Sequence, residues 1–152
     1  MIPISRTIGT QMGGRMPEPT RTLLLVDDDK NLLIILKMFF QRLGWHILEA
    51  DNVNDGIKLW TANRRHIDAV MTDYCFPEGP TGLDLVTHIQ MRQRGFPCVV
   101  ISGAWKPDKK PKDEPASNLF YRAKPFELRD IAELVTRVST GWKRPEVVAA
   151  VD

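Results

Sequence analysis

Five short runs of mostly branched and aromatic apolar residues alternate along this chain with longer stretches in which apolar positions return every three or four residues. Short continuous runs read as strands buried on both faces, and the longer period reads as amphipathic helix. The pattern predicts a strand over Leu23 to Val26, a helix over about 30 to 43, a strand from Trp45 to Glu49, and a helix over about Val53 to Asn63. It continues with a strand from Ile67 to Thr72, a helix from Gly82 to about Arg94 opened by Thr81, and strands Cys98 to Ser102 and Leu119 to Ala123. A last helix covers about Glu127 to Thr140. Gly44 and Gly95 fall just past helical stretches, where a left-handed cap is wanted. Strands separated by helices need crossover connections, so the chain is expected to form an α/β, doubly wound, five-stranded parallel sheet with helices on both faces. In the first helix Leu32, Ile35, Leu36, Phe39 and Leu43 form the expected core face. Ile34 and Met38 fall off that face, as scattered apolar surface or as a contact to a second copy, so the oligomeric state stays open.

Between Ser102 and Leu119 the alternation breaks. A fourth helix belongs here, yet prolines stand at 107, 111 and 115, and each interior proline costs a helix about 3 kcal/mol. The segment reads as irregular and mobile, with at most one turn following a proline. Lys106, Lys109, Lys110 and Lys112 interleave with Asp108, Asp113 and Glu114, the pattern of a solvated loop or of a docking surface.

Residues 1–20 mix Gly, Pro, Ser, Thr and Arg without periodicity and read as a flexible tail. Met12 and Met16 leave the natural start of the chain open. Residues 21–141 then form one domain and 142–152 a short tail that frays from Pro145. A chain of 152 residues with 43% apolar content supports one well-buried core. The balance of 21 basic against 19 acidic side chains, a net +2, speaks against nucleic acid or an anionic membrane as an obligatory partner. Cys75 and Cys98 lie far apart without a CxxC pattern, which predicts neither a disulfide framework nor a zinc site and points to a reducing, cytoplasmic compartment. No run approaches the ~20 apolar residues of a membrane span, and no secretory signal is evident.

The chemistry gathers at strand ends. Asp27, Asp28 and Asp29 follow the first strand, Asp73 the third, Ser102 ends the fourth, and Lys124 follows the fifth. In a parallel sheet these carboxyl ends open into one crevice. Carboxylates a few Å apart repel by roughly 1–4 kcal/mol per pair and need a compensating cation. Oxygen donors suit Mg²⁺ better than a softer metal. Asp29 reads as the cap of the following helix, which leaves Asp27 and Asp28 for chemistry. A carboxylate such as Asp73 can attack phosphorus once its charge and the phosphoryl oxygens are partly neutralised, by Mg²⁺ on Asp28 and Asp73 and by the Lys124 ammonium, with Ser102 donating from its hydroxyl.

The segments Leu25-Val26-Asp27-Asp28, Asp73-Tyr74-Cys75-Phe76-Pro77, Val100-Ile101-Ser102-Gly103 and Lys124-Pro125-Phe126 together resemble, in order and spacing, the response-regulator receiver domain (CheY-like) of two-component signalling. The likeness runs from about Arg21 to Gly141 and implies a flavodoxin-like sheet. It implies Asp73 as phosphoacceptor, Asp28 as a direct Mg²⁺ ligand, Asp27 as a ligand largely through water, and the Cys75 main-chain carbonyl as a further ligand. Ser102 and Lys124 would sense the phosphoryl group. Tyr121 would be the aromatic switch that moves inward, although an aromatic in a strand is also ordinary packing. Three departures stand out: the turn Pro77 to Gly82 is one residue longer than usual, Ser102 replaces the commoner threonine, and the fourth helix is missing.

Little foldable sequence remains after Thr140, so the chain reads as a stand-alone signalling domain and not an enzyme in its own right; the resemblance implies that it takes a phosphoryl group from a histidine kinase or histidine phosphotransfer protein and switches binding to a downstream protein. Two other readings fit parts of the chain. An aspartate-nucleophile phosphatase needs an acid two residues after the nucleophile, and that position is Cys75. A receiver-like interaction module that has lost phosphorylation would bind partners constitutively, for instance through the lysine-bearing loop.

Overall fold

The computed structural model describes residues 20–106 and 108–145. The expected N-terminal tail, up to residue 19, and residues 146–152 lie outside the described residues. Five strands form one parallel sheet in the order β2-β1-β3-β4-β5: β1 (Thr22–Val26), β2 (His46–Ala50), β3 (Ala69–Asp73), β4 (Cys98–Ser102) and β5 (Leu119–Ala123). Four helices connect them: α1 (Lys30–Arg42), α2 (Val53–Asn63), α3 (Gly82–Arg92) and α4 (Leu128–Gly141). This is the flavodoxin-like, doubly wound α/β fold.

Burial follows position in the sheet. Every residue of the central strands β1, β3 and β4 is buried, whereas the edge strands β2 and β5 mix buried with more exposed positions. Alternate side chains go to opposite faces. Leu23, Leu25, Met71, Val99 and Ile101 meet α1 and α4 through Leu36, Phe40, Ile131, Val135 and Val138. Leu24, Val26, Val70 and Val100 meet α2 and α3 through Val53, Trp60, Leu85 and Ile89. None of the helices in the described residues is long and apolar enough to cross a membrane.

The stripe buried by α1 differs from the expected one. Leu33, Leu36 and Phe40 are its buried residues, while Ile35 and Leu43 are 50% and 54% exposed. Every position from 32 to 40 except Lys37 is apolar, so periodicity had several faces to choose from. The rotation of the helix is set by neighbours instead. Asp29 caps it, accepting from the Leu32 N–H at 3.1 Å, and the Phe40 ring stands edge-on to Trp45 at 5.9 Å.

Among the described residues, no α-helix forms between β4 and β5. The segment holds a single 3₁₀ turn, Pro115–Ser117, opened by a proline. Its last part is fastened to the free edge of β5. Glu114 forms an antiparallel bridge with Leu119, and the Asp113 carboxylate accepts the Tyr121 N–H at 2.8 Å and both oxygens pair with the Arg122 guanidinium at 3.1 and 2.9 Å. Burial alone would raise the Asp113 pKa, but the Tyr121 N–H and Arg122 outweigh it and hold the carboxyl below its ordinary value. Within the segment read as a tail, Trp142 lies against Phe96 at 5.0 Å. Arg144 donates to the Arg64 carbonyl at the end of α2 and to the Ile67 carbonyl just before β3, at 2.7 and 3.0 Å.

Glycine is required at one close approach. A Cβ on Gly82 would collide with the Asp73 carbonyl oxygen, a backbone atom that cannot swing aside. The Gly82 N–H donates to the Tyr74 carbonyl at 2.9 Å, and Thr81 with Asp84 closes a reciprocal capping box on α3. The lengthened turn therefore rejoins the sheet at a fixed point.

Gly82→Ala is expected to lower unfolding stability by about 1–3 kcal/mol, read from urea midpoints. Gly141→Ala, whose Cβ meets nothing within 4 Å, is expected to be neutral or slightly stabilising. Asp113→Ala is expected to lose about 1–3 kcal/mol by leaving the Tyr121 N–H without its acceptor. A carboxyl held below its ordinary pKa stabilises the fold above its unfolded-state value, and this contribution disappears as pH falls through the lower folded value. The gap between wild type and Asp113→Asn should therefore be full at pH 7 and shrink below about pH 4.

Candidate functional site

Strand ends carry the site. Asp27 continues β1 by one residue, its N–H donating to the Ala50 carbonyl at 3.1 Å, so its carboxyl leaves the sheet at the carboxyl edge. It is 2% exposed, and Oδ1 accepts the Asp29 N–H at 2.8 Å. Asp28 is exposed beside it. Asp73 ends β3 opposite Ile101 and is buried, with the Thr72 hydroxyl donating to its carbonyl at 2.9 Å. Ligand oxygens of Asp27, Asp28 and Asp73 all lie within 4.8 Å of one another.

Lys124 reaches this cluster from the far side of the sheet. Its Nζ stands 3.2 Å from Asp27 Oδ2 and 3.4 Å from Asp73 Oδ1. With every acid ionised, three carboxylates face one ammonium and two negative charges stay uncompensated. Burial, with Asp27 close by, pushes the Asp73 carboxyl up to about 6. Burial also raises Asp27, against the opposing pull of the Asp29 N–H and Lys124. Burial would lower Lys124, but Asp27 and Asp73 outweigh it and the ammonium is held above its ordinary value. The unrelieved negative charge and the all-oxygen donor set fit a hard divalent cation such as Mg²⁺, with Asp27, Asp28 and Asp73 as the side chains to hold it.

Ser102 is buried at the end of β4, and the Lys124 N–H donates to its carbonyl at 2.9 Å, which ties the two candidate sensing residues together. Its Oγ accepts the Ala104 N–H at 3.0 Å, leaving the hydroxyl proton uncommitted by that bond. Cys75, two residues past Asp73, is exposed and its thiol is free. Tyr121 lies on β5 and is 4% exposed. Asp29 caps α1 and stays out of the cluster's ligand set, as its position before a helix led one to expect. A surface hollow of ≈ 1160 Å³ lies elsewhere, between α1 and α4, and includes Phe39, Leu43, Phe126 and Leu128. Charge, not cavity size, marks the site.

Four residues beside it were not singled out from the sequence. Gly82 and Thr72 fix the backbone of Asp73. Trp105 lies between the rings of Tyr74 and Tyr121, and Asp113 holds the β5 edge. The one signal for Trp105 was a large aromatic in an otherwise polar, proline-rich segment.

The family model for the response regulator receiver domain matches residues 23–136. The response regulator protein PilR of Pseudomonas aeruginosa is 30% identical over 112 residues, covering 74% of this chain and 24% of that protein. Sporulation initiation phosphotransferase F of Bacillus subtilis is 23% identical over 115 residues, covering 76% of this chain and 90% of that protein. A receiver domain protein from Clostridium thermocellum shares the fold, with a TM-score of 0.70 at 22% identity over 79% of this chain and 94% of the other. The chain spans about a quarter of the length of the first curated relatives that it matches. The sheet order, the convergence of acids and lysine at its carboxyl edge, and a family match over most of the residues agree: this chain belongs to the response-regulator receiver family.

Proposed function

We propose that Asp73 accepts a phosphoryl group in a Mg²⁺-dependent reaction from a histidine kinase or histidine phosphotransfer protein, and that the phosphorylated form changes its affinity for a downstream protein. The observation that carries this reading is the position of Lys124, whose Nζ lies between Asp27 and Asp73 although it is 97 residues from the first in sequence. An ammonium there faces any phosphoryl group added to Asp73. Asp27, Asp28, Asp73 and the Cys75 main-chain carbonyl would hold the ion, Asp27 largely through water. Bound Mg²⁺ supplies neutralisation of phosphoryl oxygens when present.

The Asp73 carboxylate oxygen forms the new bond to phosphorus as the P–N bond of the donor's phosphoimidazole breaks. The electron pair leaves on the imidazole nitrogen, which takes a proton from solvent. Lys124 pairs with one phosphoryl oxygen, and the Ser102 hydroxyl donates to another. The product is an acyl phosphate with up to two added negative charges, enough to bias an equilibrium between two conformations. Cys75 in the position where a phosphatase of this chemistry needs an acid supports a phosphoacceptor over a turnover enzyme. The converged acids and lysine likewise support an active phosphoacceptor over an inert interaction module.

Incubation with acetyl phosphate and Mg²⁺ is expected to add one phosphoryl group by intact mass, with none added to Asp73→Asn or in the presence of EDTA. Lys124→Met is expected to slow the addition at least tenfold, about 1.4 kcal/mol in barrier. Equal phosphorylation of Asp73→Asn and wild type would reject the assignment.

A further inference from the structure

Trp105 stands three residues beyond Ser102 on the first stretch of the irregular segment, and nothing in the phosphotransfer just described needs it. Its half-buried indole lies between rings from two functional elements. On one side is Tyr74, the residue after the phosphoacceptor, at 5.5 Å and an interplanar angle of 34°. Tyr74 is itself tied to β4, its N–H donating to the Ile101 carbonyl at 2.8 Å. On the other side is Tyr121 of β5, edge-on at 5.7 Å and 74°.

Tyr121 is only 4% exposed, and its ring lies inside the sheet layer against the indole. The resemblance to the family implied a ring that moves inward when Ser102 is drawn to a phosphate, and Trp105 is the side chain that meets this ring in its inward position. Two further contacts restrain the same region. Asp113 accepts the Tyr121 N–H at 2.8 Å, and Ser102 Oγ accepts the Ala104 N–H at 3.0 Å, immediately before the indole. The base of the Trp105 loop is thus tied to the Ser102 hydroxyl at the end of β4.

We propose that Trp105 is a positioning residue: it holds Tyr121 in its buried orientation before phosphorylation, and a phosphoryl group on Asp73 acts on the segment 103–118 through Ser102, Ala104 and the indole. An aromatic pair biases an equilibrium by roughly two- to tenfold, enough to keep a strand tyrosine inside when its outer orientation is also accessible. The first half of the proposal concerns the unphosphorylated chain, whereas the second rests on the phosphoacceptor reading above.

The chain has two tyrosines, so 3-fluorotyrosine labelling yields two ¹⁹F resonances, and Tyr121→Phe identifies one of them. In wild type without Mg²⁺ or phosphoryl analogue, the Tyr121 signal is expected to show a small H₂O/D₂O isotope shift. Trp105→Ala should increase that shift at least twofold, and Trp105→Phe, which keeps a ring, should restore it. A Tyr121 signal as shielded in Trp105→Ala as in wild type overturns the proposal, and so does one as exposed in wild type as in the variant. Phosphorylation of Trp105→Ala by acetyl phosphate, followed by intact mass, verifies its fold. If alanine disrupts the fold, Trp105→Leu fills the space without a ring and is judged by the same outcomes. Beryllofluoride with Mg²⁺ should change tryptophan emission in wild type and leave it constant in Trp105→Phe. Unchanged wild-type emission in a protein that does accept a phosphoryl group would sink the transmission step. Failure of wild type to accept phosphate would instead count against the phosphoacceptor reading, leaving the ¹⁹F comparison to decide the role of Trp105.

Discussion

Electrostatic conflict at the carboxyl edge of the sheet is the constraint around which this domain is arranged. Three aspartates bring ligand oxygens within 4.8 Å of one another, and a single ammonium answers them. Repulsion of roughly 1–4 kcal/mol per pair, in a site partly withdrawn from water, is a standing cost to the folded state. Burial adds to it by disfavouring the charged forms of Asp27 and Asp73. Groups that serve stability alone do not gather in this way; the cluster makes sense as a place prepared for cationic charge.

The remainder of the fold supplies rigidity to hold that conflict in place. β1 and β3 are neighbours and are buried on both faces, so Asp27 and Asp73 leave the sheet side by side from strands with little freedom to move. Gly82 abuts the Asp73 carbonyl, and the neighbouring Thr72 hydroxyl donates to it, so the backbone of Asp73 is restrained beyond the sheet ladder as well. Lys124 comes from the other side of β4, where its N–H is bonded to the Ser102 carbonyl. A lysine side chain is flexible in isolation; here both of its carboxylate partners are fixed, and the ammonium has one place to go.

The stretch between β4 and β5 is built differently. It lacks the repetitive backbone bonding of a helix and relies on a few specific contacts: Asp113 on Tyr121 and Arg122, the Glu114 bridge to Leu119, and Gln90 of α3 donating to the Ser117 carbonyl at 2.6 Å. These contacts also cover part of the open edge of β5, which would otherwise present unpaired backbone groups. Trp105 heads the segment and joins it to the site through ring contacts. Few contacts of this kind make a segment whose position a small event at Ser102 can change, which a packed helix would resist.

Element order, the parallel sheet and the strand-end location of Asp27, Asp28, Asp73, Ser102 and Lys124 were legible in the chain, because buried parallel strands write themselves as short continuous apolar runs and their ends are marked by the first polar residue. The prolines at 107, 111 and 115 likewise forbade a regular helix. The buried face of α1 was not legible, since nearly all of its first three turns are apolar and only the Asp29 cap and the Phe40–Trp45 contact select one stripe. Nor were the roles of Gly82, Asp113 and Trp105, whose partners Asp73, Tyr121 and Tyr74 lie 8 to 31 residues away and are reached only through crossovers and loops. Local pattern determines which residues stand at the edge of the sheet; only the packed structure decides which distant side chains close around them, because those contacts depend on chain path and volume, and neither has a period in sequence.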